Sequence, residues 1–262
     1  MQDGQNSASD LQELLQIAVG AVRHAGNFLK ESSHSDVIVA EDLDRDVKLI
    51  VDRGSENIII RELDKKSSLS ILSEERGSVS QQNSIPGLQW IVDPLDGSLN
   101  YLHGIPLCCV SVGLWCDAEP LLGVIYDFNR EELFTGIVGI GAWLNNDPIN
   151  VSRTHKLQQS VLCTGFPVAT DFSTNALLQF VGQIRQYKKI RLLGSAALSL
   201  AYVAAGRADA YFERDIKVWD IAAGLAIVRA GGGKFIQTTR SSAHAVTTYA
   251  SNFSLPEPDF VL

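Results

Sequence analysis

A chain of 262 residues, 45% of them hydrophobic and 20% charged, buries its own core without needing disulfides or a structural metal. Its net charge of −8 and lack of any Lys/Arg-rich block argue against nonspecific nucleic-acid binding, which depends on neutralising phosphates. No apolar run approaches the roughly 18 residues of a membrane span, and no basic leader precedes an apolar core. No membrane contact and a cytoplasmic location are therefore expected.

Residues 1–8 are polar and read as a frayed end. From Asp10 the spacing of Leu11, Leu14, Leu15, Ala18, Ala21, Val22 and Ala25 predicts a helix ending between Gly26 and Ser32, with Asp10 and Glu13 placed as a capping box. A second helix is expected over about 53–65, with Asp52 as its N-cap. Short apolar runs follow, split by turn residues. Ser70–Ser73, Gln89–Val92, 107–115, 121–126, 132–138 and 141–144 read as strands of an antiparallel meander. Beyond the break near 145–155 the pattern alternates. Strands are expected at Val161–Thr164, 190–193, 208–212 and 234–237, and helices at 173–187, 195–205 and 220–230. That alternation points to a layered α/β arrangement. The four cysteines, Cys108, Cys109, Cys116 and Cys163, show no metal-ligand spacing and read as buried reduced thiols.

The chemistry concentrates in acidic strings. In WIVDPLDGSLNY (90–101) an apolar strand leads into Asp93, the Leu95 carbonyl and Asp96 within a few residues. Gly97 permits a tight turn that leaves its own N–H and that of Ser98 free for an anion. Hard oxygen ligands grouped this way suit Mg²⁺, although a D-G pair alone also makes an ordinary turn. In ILSEE (71–75) a strand runs into Glu74 and Glu75, either of which could reach the same place. In VWDIAAG (218–224) a lone Asp220 heads an apolar helix, where one carboxylate can cap and ligate at once.

Glu74–Glu75, the string DPLDGSLNY (93–101) and WDIAAG (219–224), in that order and at these separations, resemble the inositol monophosphatase family. TGFP (164–167), GSAA (194–197) and GRADAYFE (206–213) add to the likeness, which covers roughly residues 10–252. The resemblance implies an αβαβα layered sandwich of the kind shared with fructose-1,6-bisphosphatase. Its first half, 1–148, would carry the Glu-Glu and DPxDGS motifs. Its second half, 149–262, would carry WDxAAG and the sugar pocket.

The implied activity is hydrolysis of an inositol or sugar phosphate monoester, with two to three Mg²⁺ ions, lithium sensitivity and a homodimer. Carried over residue by residue, the family pattern makes Glu74, Asp93, the Leu95 carbonyl, Asp96 and Asp220 the metal ligands. Gly97 and Ser98 would hold the phosphate. Glu74 and a Ser98 hydroxyl bonded to Asp52 would orient the attacking water. Gly194, Ser195, Ala196 and Glu213 would line the sugar pocket. Lys217 would reach a second anionic group, or else simply face solvent. Ser73 stands where the family usually has glycine, and Ser98 where it has threonine. Fructose-1,6-bisphosphatase, a nucleotide 3′-phosphatase, histidinol-phosphatase and a regulatory relative without turnover are the alternatives on this fold.

Overall fold

The computed structural model describes residues 8–32, 39–43, 46–79, 85–168, 170–239 and 244–258. The expected frayed end, apart from Ala8, lies outside them. Helix α1 (Ala8–Glu31) begins before Asp10, which sits in its first turn, and it buries Leu15, Ala18, Ala21, Val22, Ala25 and Leu29. A hairpin of β1 (Val39–Leu43) and β2 (Asp46–Leu49) leads into α2 (Ile50–Lys66).

The first sheet comprises β3 (Ser70–Ser73), β4 (Gly77–Val79), β5 (Leu88–Asp96), β6 (Cys109–Cys116), β7 (Glu119–Asp127), β8 (Glu132–Ile137), β9 (Gly141–Leu144) and β10 (Asp147–Ile149), with the short helix α3 (Ser98–Leu102) after β5. Its order is β10-β9-β8-β7-β6-β5-β3-β4. This is the expected meander except for one parallel pairing, β3 with β5.

The remaining elements are β11 (Val161–Thr164), α4 (Thr174–Ile184), β12 (Lys189–Arg191), α5 (Ala196–Ala204), β13 (Ala210–Lys217), α6 (Val218–Ala230), β14 (Gly233–Thr239) and β15 (Ala245–Asn252). They form a mixed sheet in the order β12-β11-β13-β15-β14. β15 has no counterpart in the expected elements. Its AVTTYASN is small and polar rather than an apolar run, yet every residue is buried, because the strand lies between β13 and β14.

The layers follow from which faces are apolar. α1 and α2 cover one face of the first sheet through a core of Trp90, Val110, Val112 and Tyr126. α5 and α6 lie between the two sheets, and α4 sits outside the second, whose outer core is Leu162, Ala210, Phe212 and Tyr249. The result is the expected αβαβα sandwich.

Glycines decide how α6 is seated. Gly113, Gly123 and Gly136 stand opposite one another across β6, β7 and β8. A Cβ would come within 2.9 Å of Ala223 N at Gly113 and within 2.9 Å of Ile227 Cα at Gly136, and at Gly123 it would strike the Ala223 backbone. The row is a bare groove that lets the helix backbone rest on the sheet. On the helix's other side, Gly224 makes room for Leu200 of α5. Asp220, in the first turn of α6, is positioned by this packing.

Candidate active site

β5 carries the densest part of the site. Its pairing with β6 shifts register between Asp93 and Asp96, so Pro94 sits where the ladder is already broken and its missing N–H costs nothing. The Pro94 carbonyl accepts from Ser55 Oγ of α2 at 2.7 Å. Asp93 Oδ1 accepts the Leu95 N–H at 3.0 Å. Asp96 Oδ2 accepts from Ser195 Oγ at 2.5 Å and from the Ala197 N–H at 2.7 Å, which ties it to the start of α5. Gly97 takes φ 88°, and a Cβ there would lie 2.8 Å from the Leu107 carbonyl; only glycine satisfies both.

Glu74 follows β3, its N–H reaching the Val92 carbonyl at 3.3 Å. The turn is held from below by buried Glu56, which accepts from Ser73 Oγ at 2.5 Å and from the Arg76 N–H at 3.1 Å. The serine that departs from the family's glycine is thus put to use. Asp220 occupies the third position of α6, with Oδ2 accepting the Lys217 N–H at 3.3 Å.

These segments close on one cavity of about 530 Å³. Glu74, Asp93, the Leu95–Ser98 turn and Asp220 line it, together with Thr164–Val168, Glu213 and Asp215. Burial pushes the Asp93 carboxyl well up, and the charges of Glu74, Asp96 and Asp220 push it further. Asp220 is raised in the same way, by desolvation and then by Glu74 and Asp96. Asp96 is lifted to about 6 by desolvation, against its bonds to Ser195 and Ala197. Glu213 rises to about 8, chiefly by burial.

Gly194, Ser195, Ala196, Glu213 and Lys217 all line the cavity. Ser195 is nevertheless committed elsewhere: it gives its proton to Asp96 and accepts the Leu198 N–H at 3.2 Å as N-cap of α5. The Ser98–Asp52 bond is a correction. Ser98 Oγ donates instead to the Leu95 carbonyl at 2.9 Å, because the first turn of α3 folds its hydroxyl back onto β5. Asp52 is not the N-cap of α2 but its third residue, with Oδ2 accepting the Leu49 N–H at 2.7 Å, and it is not among the residues lining the cavity.

The sequence reading missed Asp215, Phe166 and Trp219 in the lining. It also missed Asn100, whose Nδ2 bonds the Leu107 and Leu193 carbonyls at 2.8 Å each and so clamps the loop before Gly194. An Asn inside a metal motif gave a faint signal; Asp215 gave none.

The model of the inositol monophosphatase family matches residues 10–258. The chain belongs to this family. An inositol-1-monophosphatase of Synechocystis sp. is 39% identical over 87% of this chain and 79% of its own. A Nus factor SuhB of Xylella fastidiosa is 42% identical over 83% of this chain and 79% of its own. The solved inositol monophosphatase of Anabaena (Nostoc) sp. superposes with a TM-score of 0.78 at 34% identity, covering 94% of this chain and 92% of that one.

Inositol monophosphatases generally use Mg²⁺, and the donor set here fits that ion. Four carboxylates and a carbonyl are hard oxygen donors, and their mutual repulsion is what divalent cations relieve. Among the described residues no three acidic, His or Cys side chains grip a single point.

Proposed function

We propose that this protein hydrolyses a phosphate monoester of inositol or a related sugar, with Mg²⁺ held by Glu74, Asp93, the Leu95 carbonyl, Asp96 and Asp220. The observation that carries this is the meeting of carboxylates from three distant segments around one cavity, which the buried Glu213 also lines. Bound Mg²⁺ supplies charge neutralisation for the phosphate and lowers the pKa of a coordinated water. The chain's own groups do the rest. The Gly97 and Ser98 N–H groups, at the start of α3, receive phosphate oxygens. Glu74, at the turn braced by Glu56, takes up the proton of the attacking water. Ser195 and the Ala197 N–H keep Asp96 oriented. Glu213, which lines the same cavity, meets hydroxyls of the alcohol.

Phosphate release from myo-inositol 1-phosphate, with and without Mg²⁺, tests this directly. Release that is absent in Mg²⁺, or equal in wild type and Asp93→Asn, would refute it. Ten-fold preference for fructose 1,6-bisphosphate or a nucleotide bisphosphate would move the assignment to another branch of the fold.

A second reading is favoured by the relatives named Nus factor SuhB and by the apolar residues left exposed on and beside α4, including Phe172, Leu177, Leu178 and Val181. A factor acting through a partner would use that surface. The family resemblance also implies a homodimer, and sedimentation at micromolar concentration distinguishes a dimer from a monomer.

A further inference from the structure

A second cavity, of about 510 Å³, shares no lining residue with the first and is built from α1, β8 and β9. Strand alternation opens it. Phe134 and Ala142 enter the core that holds α5 and α6, whereas Leu133, Thr135 and Ile137 of β8 face the side of α1. α1 lies over β6, β7 and β8, and its stripe Gln12, Gln16, Val19 and Arg23, spaced by three or four residues, lines the cavity. Trp143 of β9, paired with Thr135 across the ladder, adds an aromatic ring.

The polar groups gathered there are unused. Thr135 is only 8% exposed, yet its hydroxyl has no hydrogen-bond partner among the described residues. The Trp143 indole N–H has none among them either. Those of Trp90 and Trp115, by contrast, donate to Ser67 Oγ at 2.9 Å and to the Ala222 carbonyl at 3.0 Å. Arg23 is the charged residue of the lining and forms no ion pair among the described residues. The acids just before Leu133 are already engaged, Glu131 by Lys30 at 2.5 Å and Glu132 by Arg207 at 2.6 Å.

We propose that this cavity is a binding site for a small aromatic carboxylate, with its ring beside Trp143, Leu133 and Ile137 and its charge on Arg23. A mostly apolar lining with a few convergent polar groups, at this volume, is the usual make-up of a small-molecule site. A flat ring packs favourably on an indole. A guanidinium matches a carboxylate in planar, two-point geometry, and one unpaired cation calls for one anionic group. The Thr135 hydroxyl supplies a further contact that fixes orientation. The site stands apart from the hydrolysis proposed above.

Calorimetric titration of the full chain with 2-naphthoate and with its neutral analogue 2-naphthamide tests the site. Wild type should bind naphthoate about tenfold more tightly than naphthamide, because hydrogen bonds to a charged group are the stronger ones. Arg23→Gln should erase that preference and leave naphthamide unchanged. Trp143→Ala should weaken both ligands about fivefold, and Thr135→Val, which keeps the shape, should weaken naphthoate about fivefold. Arg23 is exposed, so its variant should keep the wild-type thermal midpoint. No naphthoate binding at millimolar concentration, or equal affinity in wild type and Arg23→Gln, overturns the inference. Displacement of naphthoate by inorganic phosphate with Mg²⁺ would place it in the acidic cavity, and weakening by Leu178→Asp would place it on α4; either result overturns it too. So does a Trp143→Ala chain that sediments in a different oligomeric state, which would make the groove an interface between copies.

Discussion

Two sets of residues that line the cavity are built on different principles. The acids proposed to hold metal stand on the end of β5, the turn after β3 and the start of α6, and Asp93, Asp96 and Asp220 are each held by an N–H or hydroxyl that the structure places. The residues proposed to meet the alcohol stand on the loop after β11, whose Phe166 and Val168 are exposed, and on β13, where its pairing with β15 shifts register between Glu213 and Ile216. On the proposed function, regular elements would hold charge where the reaction requires it, and irregular backbone would shape the part that meets the variable half of the substrate. Changes to the first set should therefore abolish turnover, and changes to the second should alter selectivity.

The largest effect should come from Asp93→Asn. It keeps an acceptor for the Leu95 N–H but removes the charge, and kcat should fall on the order of 10³-fold, as for other groups that stabilise transition-state charge. Because that charge is also repelled by its neighbours, the metal-free variant should melt higher than wild type. A metal-free variant that melts lower than wild type would show that the carboxylates do not repel one another.

Next, Ser195→Ala removes a support of Asp96 without touching the ligand itself. Mg²⁺ affinity, read as the activating concentration, should weaken about 10–100-fold, as is usual for lost outer-shell partners. Unchanged Mg²⁺ activation would show that α5 does not orient Asp96.

Gly123→Ala attacks the seating of α6 rather than the cavity. The added methyl meets the Ala223 backbone, and overpacking should cost about 1–3 kcal/mol in denaturant unfolding. Full stability would mean that the helix can lift off the sheet freely.

Glu213→Gln probes the second set through pH. Folded Glu213 holds its proton up to about 8, against an ordinary value of 4.5. The folded state therefore binds a proton that the unfolded chain has released, so this group's contribution to stability falls as pH rises through that window and levels off above it. In chelator, the difference in stability between Glu213→Gln and wild type should grow over the same window. A constant difference would show that Glu213 titrates as an ordinary carboxylate.

The smallest change belongs to Lys217→Ala. An exposed lysine at the rim contributes little, and kcat/KM for a monophosphate should stay within about threefold. A tenfold loss would place Lys217 in contact with the substrate.

Residues 74–75, 93–101 and 219–224 were sufficient for the family, the layered fold and the acids that line the cavity, because strand ends and a helix start place particular residues from short strings. The order of strands and helices could be read for the same local reason, since alternation and periodicity act over a few residues. Other features depended on residues distant in sequence. β15 gave no apolar signal because its burial comes from neighbours on both sides. The glycine row became meaningful only when register aligned three strands under α6. Both α4 and α6 are rich in apolar residues, yet α6 is enclosed by two sheets while Leu178 of α4 is 66% exposed. The Ser98 hydroxyl and the register shift of β13 were decided likewise, by which backbone groups the fold brought within reach. Local chemistry is written in the order of residues. The choice of partner across the sheets belongs to the packed chain, because close packing and register are properties of many segments at once.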